Sequence, residues 1–180
     1  MINLMSSLGD GKTALLEATI KRLRKSLKIA VIEGDLETEN NALRIQTQGV
    51  SAFQISTGSA CHLDAHLVQN ALHHMAIDGL DLLFIENVGN LVCPASFDLG
   101  HHRNVVLLSV TEGDDKPAKY PVMFRAANLM LISKTDLLPH LDDFSPDHAK
   151  QQLHNLADNT VVIEFSTKNG QGLDEFNPSR

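Results

Sequence analysis

Residues 6–13 have the sequence Ser-Ser-Leu-Gly-Asp-Gly-Lys-Thr and lie between a short apolar run and an apolar-periodic segment. This pattern is typical of a phosphate-binding loop, in which backbone N–H groups and a helix N-terminus bind the phosphates of a nucleotide. Lys12 is placed to reach the β- and γ-phosphates, and Thr13 is placed to bind Mg²⁺. Ser6 stands where the pattern has glycine, so a turn that simply opens a helix is the alternative interpretation. The other residues expected to contact the nucleotide here are Gly9, Asp10 and Gly11.

Polar residues also follow several later apolar runs, and ligands of parallel sheets bind at these carboxyl ends. Asp35 follows the second run and Glu86 the fourth, so both carboxylates are candidates to hold Mg²⁺ and to support hydrolysis. The N–H group of Gly89 is a candidate to meet the γ-phosphate. A lone acidic residue at a strand end is more often a solvated side chain. The prediction therefore depends on the whole set of residues.

Lys134 and Asp136 follow the sixth apolar run and favour guanine as the base. A carboxylate accepts hydrogen bonds from the N1–H and 2-amino groups of guanine, whereas adenine has an acceptor at N1 and lacks the amine. Lys134 is expected to lie along the face of the base. Further nucleotide contacts are expected after the last run, from Ser166, Thr167 and Lys168.

The two cysteines of the chain are candidate metal ligands. Cys61 and His62 precede a predicted helix, and Cys93 follows the run that carries Glu86. Thiolate and imidazole suit zinc and nickel. Free cysteine is also among the most buried residue types, so packing in the core is the alternative. His66 is a further candidate, since it would share a helix face with His62 if that helix began early.

These residues need a scaffold that brings strand ends together. Apolar runs predict strands at 2–5, 29–33, 52–56, 82–86, 105–110, 129–133 and 161–165, and helices fit at about 13–26, 38–48, 63–76, 118–126 and 146–157. Several runs are continuously apolar, as in strands buried on both faces of a parallel sheet. The alternation predicts a doubly wound α/β fold with a mostly parallel sheet and helices on both faces.

Length and composition predict one domain over residues 1–180, since 180 residues with 43% hydrophobic content can bury a real core. The net charge of -7 argues against a nucleic-acid partner, and the basic cluster at 21–28 fits the C-terminal end of the first helix. No apolar stretch approaches the length of a membrane span. We therefore expect a cytoplasmic protein without a membrane partner, in which the cysteines stay as thiols or bind metal.

Four longer stretches carry a resemblance to a known family. They are Ile-Glu-Gly-Asp-Leu at 32–36, Cys-His-Leu-Asp-Ala-His at 61–66, the run 84–100, and Ser-Val-Thr-Glu-Gly-Asp-Asp-Lys-Pro at 109–117. In these stretches the chain resembles the HypB nickel-incorporation GTPases of hydrogenase maturation, which share a GTPase class with the urease accessory protein UreG. The resemblance extends from about Asn3 to Phe176.

The resemblance implies a P-loop GTPase that binds GTP or GDP with Mg²⁺ and forms a dimer. We expect slow hydrolysis, because no motif assigns an arginine finger. We expect a GTP-dependent homodimer, because Cys93 lies just past the segment expected to sense the γ-phosphate. The resemblance also implies a metallochaperone that gates nickel or zinc transfer to a nickel-enzyme precursor or another maturation protein. The metal site of the family falls on Cys61, His62 and Cys93. Because Cys93 follows the segment expected to sense the γ-phosphate, hydrolysis is expected to reshape the metal site.

Three substitutions depart from the family pattern, and the chain begins directly at the first predicted strand. Leu8 replaces proline and Asp10 replaces serine in the phosphate loop, while Ser133 replaces asparagine before Lys134. We expect weaker nucleotide binding without loss of guanine preference. The competing functions are a metal-binding module that has lost productive nucleotide binding and a P-loop ATPase or kinase.

Overall fold

Seven parallel strands form the central sheet in the computed structural model, which describes residues 1–35, 40–58 and 60–178. The strands are Ile2–Met5 (β1), Ile29–Asp35 (β2), Ser51–Ser56 (β3), Leu82–Glu86 (β4), Arg103–Ser109 (β5), Leu129–Ser133 (β6) and Val161–Glu164 (β7). Their order is β3-β2-β4-β1-β5-β6-β7, and every neighbouring pair is parallel. All the predicted strands are present, with ends that differ by one or two residues at most.

Helices lie between the strands, as the apolar periodicity predicts. They are Lys12–Leu23 (α1), Asn40–Thr47 (α2), Ala65–His73 (α3), Lys116–Lys119 (α4), Pro121–Arg125 (α5) and Pro146–His154 (α6), with 3₁₀ turns at Pro94–Ser96 and Thr135–His140. Residues 38 and 39 of the predicted second helix lie outside the described residues. None of the helices in the described ranges is long and apolar enough to span a bilayer.

Alternate residues of each strand pack on opposite faces of the sheet, so the core has two layers. On one face, Val31 of β2 and Phe84 of β4 pack with Leu16 of α1. On the other face, β2 packs against α3, and β5 and β6 pack against α5 and α6. Buried residues on both faces explain why these strands are continuously apolar. The predicted doubly wound fold is confirmed.

The helix predicted at 118–126 is wrong in one respect, because two short helices replace it. Tyr120 separates them, with φ -122° and ψ 57°, outside the helical region. Pro121 follows directly, and the ring of a proline disfavours helical dihedrals in the residue before it. Pro121 is then the first residue of α5, where its missing N–H group costs nothing.

The first strand lies in the middle of the sheet, between β4 and β5. A chain of buried amides fixes it there. Asn3 donates from Nδ2 to Asn104 Oδ1 at 3.0 Å, and Asn87 donates from Nδ2 to Asn3 Oδ1 at 3.1 Å. The loop after β1 therefore lies between the segments that follow β4 and β5, at the edge where parallel α/β sheets bind ligands.

Candidate nucleotide site and metal centre

The loop between β1 and α1 has the backbone of an anion-binding site. Gly9 and Gly11 have φ values of 83° and 96°, in the left-handed region that favours glycine. Gly11 is the N-cap of α1, and no side chain caps the first N–H groups of that helix. Uncapped N–H groups at a helix N-terminus, together with the helix dipole, attract phosphate.

Lys12 lies beneath this loop, with 6% of its surface exposed. Its Nζ donates to Ser6 Oγ at 2.8 Å and to the carbonyl oxygen of Ser7 at 3.4 Å. Burial lowers the pKa of Lys12, while the nearby carboxyl groups of Glu86 and Asp10 oppose that shift. The serine in place of the first glycine of the pattern thus provides a hydrogen-bond acceptor that holds the lysine.

Acidic side chains gather next to Lys12 because of strand parity. Along β2 and β4, every second residue faces α1, and this row ends in Glu33 and Asp35 on β2 and in Glu86 on β4. Glu33 and Glu86 are opposite each other in the β2–β4 register. Thr13 of α1 donates its hydroxyl to Glu86 Oε1 at 2.8 Å. The predicted magnesium ligands Thr13, Asp35 and Glu86 are therefore at one edge of one face.

Two carboxyl groups of this cluster, those of Glu33 and Glu86, have raised pKa values. Burial, and then the neighbouring Glu86, raise the pKa of Glu33 to about 10. Burial also raises the pKa of Glu86, against the opposing effect of the Lys12 ammonium. Both oxygens of Glu33 and Oε2 of Glu86 are buried without a hydrogen bond from any described residue. Leaving a buried polar group unpaired costs about 1–3 kcal/mol, so the cluster is arranged for a cation or its water.

The side chain of Asp10 points into the phosphate loop and away from solvent. Its side chain is 1% exposed, and Oδ2 accepts a hydrogen bond from the N–H group of Ser7 at 3.0 Å. The position next to Gly11 thus adds a carboxyl group that braces the loop from inside. Burial, and then the charge of Glu112, raise the pKa of Asp10 to about 7.

This raised pKa makes stability depend on pH. Between the unfolded pKa of 3.8 and the folded value of about 7, the native state binds an extra proton, so the free energy of unfolding falls as the pH rises through this window. The loss amounts to about 4 kcal/mol at about 1.4 kcal/mol per pKa unit. Asp10→Asn keeps an acceptor for Ser7 without the charge. We expect this variant to be more stable than the parent at pH 8 and equally stable at pH 4, as measured by urea unfolding.

A matched control is Asp81→Asn, which changes an exposed carboxylate that accepts the backbone N–H of Lys28 at 2.8 Å. A stability difference between Asp10→Asn and the parent that stays constant from pH 4 to 8 would contradict this account.

Ser133 links the end of β6 to the phosphate loop. Its hydroxyl donates to the carbonyl oxygen of Asp10 at 2.7 Å, and the side chain is buried. The serine that departs from the family pattern therefore braces the phosphate loop with its single hydroxyl. It has no second donor for a base.

The predicted base-binding residues meet at the ends of β6 and β7. Lys134 has φ 60° and ψ 34°. Among the described residues, it is the one non-glycine residue with a positive φ. Such strain persists where surrounding structure enforces it, often at ligand sites. Asp136 Oδ1 accepts the Ser166 hydroxyl at 2.6 Å, and its Oδ2 lies 3.9 Å from Lys168 Nζ. Thr167 is exposed beside them.

Cys61, His62 and Cys93 form a compact group of soft and borderline ligands. Their ligand atoms all lie within 4.8 Å of one another, and the two Sγ atoms are 2.8 Å apart. His62 stacks on Phe97 with ring centroids 3.7 Å apart, which fixes the imidazole plane. The hydrogen bond with the Cys61 thiol raises the pKa of Cys93. Both cysteines are half-buried free thiols, so the group is accessible to an ion.

His66 lies outside this group. It was a candidate ligand only if the helix began early enough for His62 and His66 to share a face. Helix α3 begins at Ala65, with Asp64 as its N-cap, so His62 precedes the helix and shares no helix face with His66. The His66 ring instead has Nε2 at 3.2 Å from Asn70 Nδ2, one turn along α3.

Two contacts join the metal group to the nucleotide site through Leu63, which follows His62. Its N–H group donates to Asn87 Oδ1 at 3.4 Å, and Asn87 is the residue after Glu86. Its side chain covers Gly34, where an added Cβ would lie 2.7 Å from Leu63 Cδ1. The segment after β4 also touches the phosphate loop, since a Cβ at Gly89 would lie 2.9 Å from Leu8 Cα. The metal ligands thus rest on the same backbone segments that carry the acidic cluster.

Sequence reasoning missed Glu33, Asn87, Phe97 and the role of Ser133. Strand parity could have found two of them, because Glu33 continues the row of Ile29 and Val31, and Ser133 continues the row of Leu131. Nothing in the local sequence signals that Asn87 binds Leu63, since that contact depends on how two loops pack.

Comparison with known proteins assigns the chain and its fold to one family. Residues 1–164 match the family model of the CobW/HypB/UreG nucleotide-binding domain. The hydrogenase maturation factor HypB of Azotobacter chroococcum mcd 1 is 53% identical over 178 residues, which cover 98% of this chain and 57% of that protein. The hydrogenase/urease maturation factor HypB of Helicobacter hepaticus is 46% identical over 177 residues, which cover 96% of this chain and 72% of that protein.

The crystal structure of HypB from Helicobacter pylori in complex with nickel has a TM-score of 0.92 and 44% identity, with 97% of this chain and 82% of that chain covered. The chain spans 57% to 60% of the lengths of four curated relatives. With these matches, which extend over nearly the whole chain, the chain belongs to the CobW/HypB/UreG family of nucleotide-binding domains and, within it, to the HypB proteins.

Proposed function

We propose that this chain is a single GTPase domain that hydrolyses GTP slowly and gates the transfer of nickel to the precursor of a nickel hydrogenase, directly or through another maturation protein. The observation that carries the proposal is the contact of Leu63 with Asn87 and Gly34. Leu63 directly follows the candidate metal ligand His62, whereas Asn87 and Gly34 are sequence neighbours of Glu86 and Asp35 in the acidic cluster. The contact therefore connects the metal group to the candidate nucleotide site. Relatives named as hydrogenase maturation factors, one of them solved with nickel, support the same assignment.

The nucleotide part of the proposal depends on the phosphate loop and the acidic cluster. Magnesium fits the cluster, because Glu86 Oε2 is a buried oxygen without a donor among the described residues and hard oxygen ligands suit that ion. Thr13, Asp35 and Glu86 would hold it. When bound, magnesium neutralises negative charge on the β- and γ-phosphates. Lys12 would carry the remaining positive charge to the phosphates, and no motif of the chain assigns an arginine to them, so turnover should be slow.

The nickel is cargo, and the open geometry of its group suits release. Cys61, His62 and Cys93 supply three ligands, whereas a closed zinc site has four. The fourth position is left for water or for a ligand from a second copy across a two-fold axis. Zinc is the alternative ion for the same ligands. The proposed compartment is the cytoplasm, where thiols stay reduced.

The gate is the segment that follows β4. It begins directly after Glu86, the last residue of β4, carries Gly89 where it would meet the γ-phosphate, and reaches Cys93 a few residues later, while Asn87 holds the Cys61-His62 loop through Leu63. A γ-phosphate that draws Gly89 inward would move Asn87 and change the distance between the two cysteine-bearing loops. GTP is proposed to promote dimerisation through the same movement.

The test compares nickel affinity in two nucleotide states. Calorimetric titration of the parent with Ni²⁺ should give at least a fivefold difference between the GDP state and a non-hydrolysable GTP analogue, a typical allosteric coupling. Light scattering should show a larger dimer fraction with the analogue. Asn87→Ala should keep nickel binding and lose the difference, because the Leu63 N–H loses its acceptor.

Lys12→Ala is the control, since a domain that binds nucleotide poorly should have one nickel affinity under both conditions and should release little phosphate from GTP. Equal affinities in both states of the parent would reject gating. Nickel binding without any GTP binding would favour the metal-binding module, and a preference for ATP would favour the ATPase or kinase.

A further inference from the structure

Glu33 is the most deeply buried acid of the described chain that the proposed reaction leaves without a task. Its residue surface is 0% exposed, and neither carboxyl oxygen has a hydrogen-bond donor among the described residues. Burying an acid without hydrogen-bond partners costs stability, and bound ions or their water ligands can offset that cost. The location of Glu33 indicates what it binds.

Glu33 faces the start of α1 and not the interior of the sheet. It belongs to the β2 row of Ile29 and Val31, which packs against α1, and it pairs in register with Glu86 on β4. Glu86 Oε1 accepts a hydrogen bond from the Thr13 hydroxyl, and Glu86 Oε2 has no N–H or hydroxyl donor among the described residues. Three oxygens of Glu33 and Glu86 therefore lie side by side with no N–H or hydroxyl donor from another described residue, close enough for the two carboxyl groups to share a proton.

The neighbouring ammonium group of Lys12 is hydrogen-bonded to other residues. Lys12 lies close enough to both carboxyl groups to influence them, but its Nζ donates to Ser6 Oγ at 2.8 Å. Its proposed task also turns it toward the phosphates. Glu33 and Glu86 then lie next to each other without the positive charge of Lys12. Two buried carboxylates in contact need another positive charge or a shared proton.

We infer that Glu33 is a third acid of the magnesium site, which binds the water ligands of the ion from the β2 side while Thr13 and Glu86 bind it from the α1 and β4 sides. Magnesium keeps several waters and is held by few carboxylates, so a buried carboxylate one layer below the ion has waters to accept from. Glu33 is thus a positioning residue. This inference rests on the proposed nucleotide site.

The test is the magnesium dependence of nucleotide binding. A fluorescent GDP analogue is titrated onto the protein at a series of free Mg²⁺ concentrations, and once in excess EDTA. In Glu33→Gln, the Mg²⁺ concentration for half-maximal tightening should rise about tenfold, equivalent to about 1.4 kcal/mol. Affinity in EDTA should be unchanged, which a general distortion of the site would not allow.

The matched control is Glu164→Gln. It changes a glutamate of the distant strand β7 that pairs with Lys150 of α6. It should leave both measurements at parent values. Glu33→Asp, which keeps the charge on a shorter stem, should give a smaller rise than Glu33→Gln, and it decides the matter alone if the glutamine variant does not fold.

The two ideas fail in different ways. A parent whose GDP binding ignores Mg²⁺ would reject the proposed nucleotide site. A parent that responds to Mg²⁺, with Glu33 variants that respond at the same concentration, would reject only the role of Glu33 and leave it as a protonated core residue.

Discussion

Cys93→Ala should lower the affinity for Ni²⁺ by at least about a hundredfold, since loss of a residue that merely supports a ligand already costs 10- to 100-fold in metal sites. The Cys93 Sγ atom is 2.8 Å from Cys61 Sγ, so one ion can contact both sulfurs. Cys61→Ala should have an effect of similar size. Calorimetry under reducing conditions, with Ni²⁺ and with Zn²⁺, measures both variants.

His66→Ala is the matched control because His66 lies outside the ligand group. Its nickel affinity should stay within about twofold of the parent, less than one lost neutral hydrogen bond. Nickel must also displace thiol protons, whose release is measurable in buffers of different ionisation enthalpy. The affinity should therefore fall as the pH falls. Unchanged nickel binding in both cysteine variants would assign the thiols to packing.

Guanine preference should disappear in Asp136→Ala. The parent should bind GDP at least about tenfold more tightly than ADP, a gap of about 1.4 kcal/mol. The physical reason is the carboxylate of Asp136, which is held in place because Oδ1 accepts from the Ser166 hydroxyl and Oδ2 lies 3.9 Å from Lys168 Nζ, and which can accept from the N1–H and 2-amino groups of guanine. Fluorescence competition with unlabelled GDP and ADP gives the ratio directly.

A sharper variant is Asp136→Asn, which replaces one acceptor with an N–H donor. It should move the preference from guanine toward xanthine, whose position 2 carries a carbonyl oxygen. Asp147→Ala, which removes an exposed carboxylate at the start of α6, is the control and should keep the GDP preference. Equal GDP and ADP binding by the parent would reject the guanine assignment.

The scaffold was predictable because each strand is a local apolar run and each helix a local periodicity. The phosphate loop was predictable for the same reason, since the backbone of residues 6–13 depends on its own glycines and on the next helix. The grouping of Cys61, His62 and Cys93 followed from the family resemblance, and the structure brings those atoms together.

The remaining parts of the site depend on contacts between distant segments. The sequence leaves open whether the Asp10 side chain points to solvent or accepts from the Ser7 N–H group, because that choice depends on how the loop is buried in the folded chain. The start of α3 was misplaced because Asp64, a strong N-cap, follows apolar Leu63 and overrides it. The hydroxyl of Ser133 reaches Asp10 because β6 continues past the end of β1: Met5 is level with Val106 of β5, whereas Ser133 is level with Ser109, beside the loop that follows β1.

The central place of β1 has a consequence for how the chain folds. Asn3 is hydrogen-bonded to Asn87, 84 residues away, and to Asn104, 101 residues away. Such distant pairings form slowly, since loop-closure entropy is lost before the contacts stabilise the chain. On a ribosome, the strand that carries the phosphate loop must therefore wait with both edges unpaired until β4 and β5 have emerged. Nucleotide can bind only after that point, so it stabilises the finished domain and cannot guide the early steps of its synthesis.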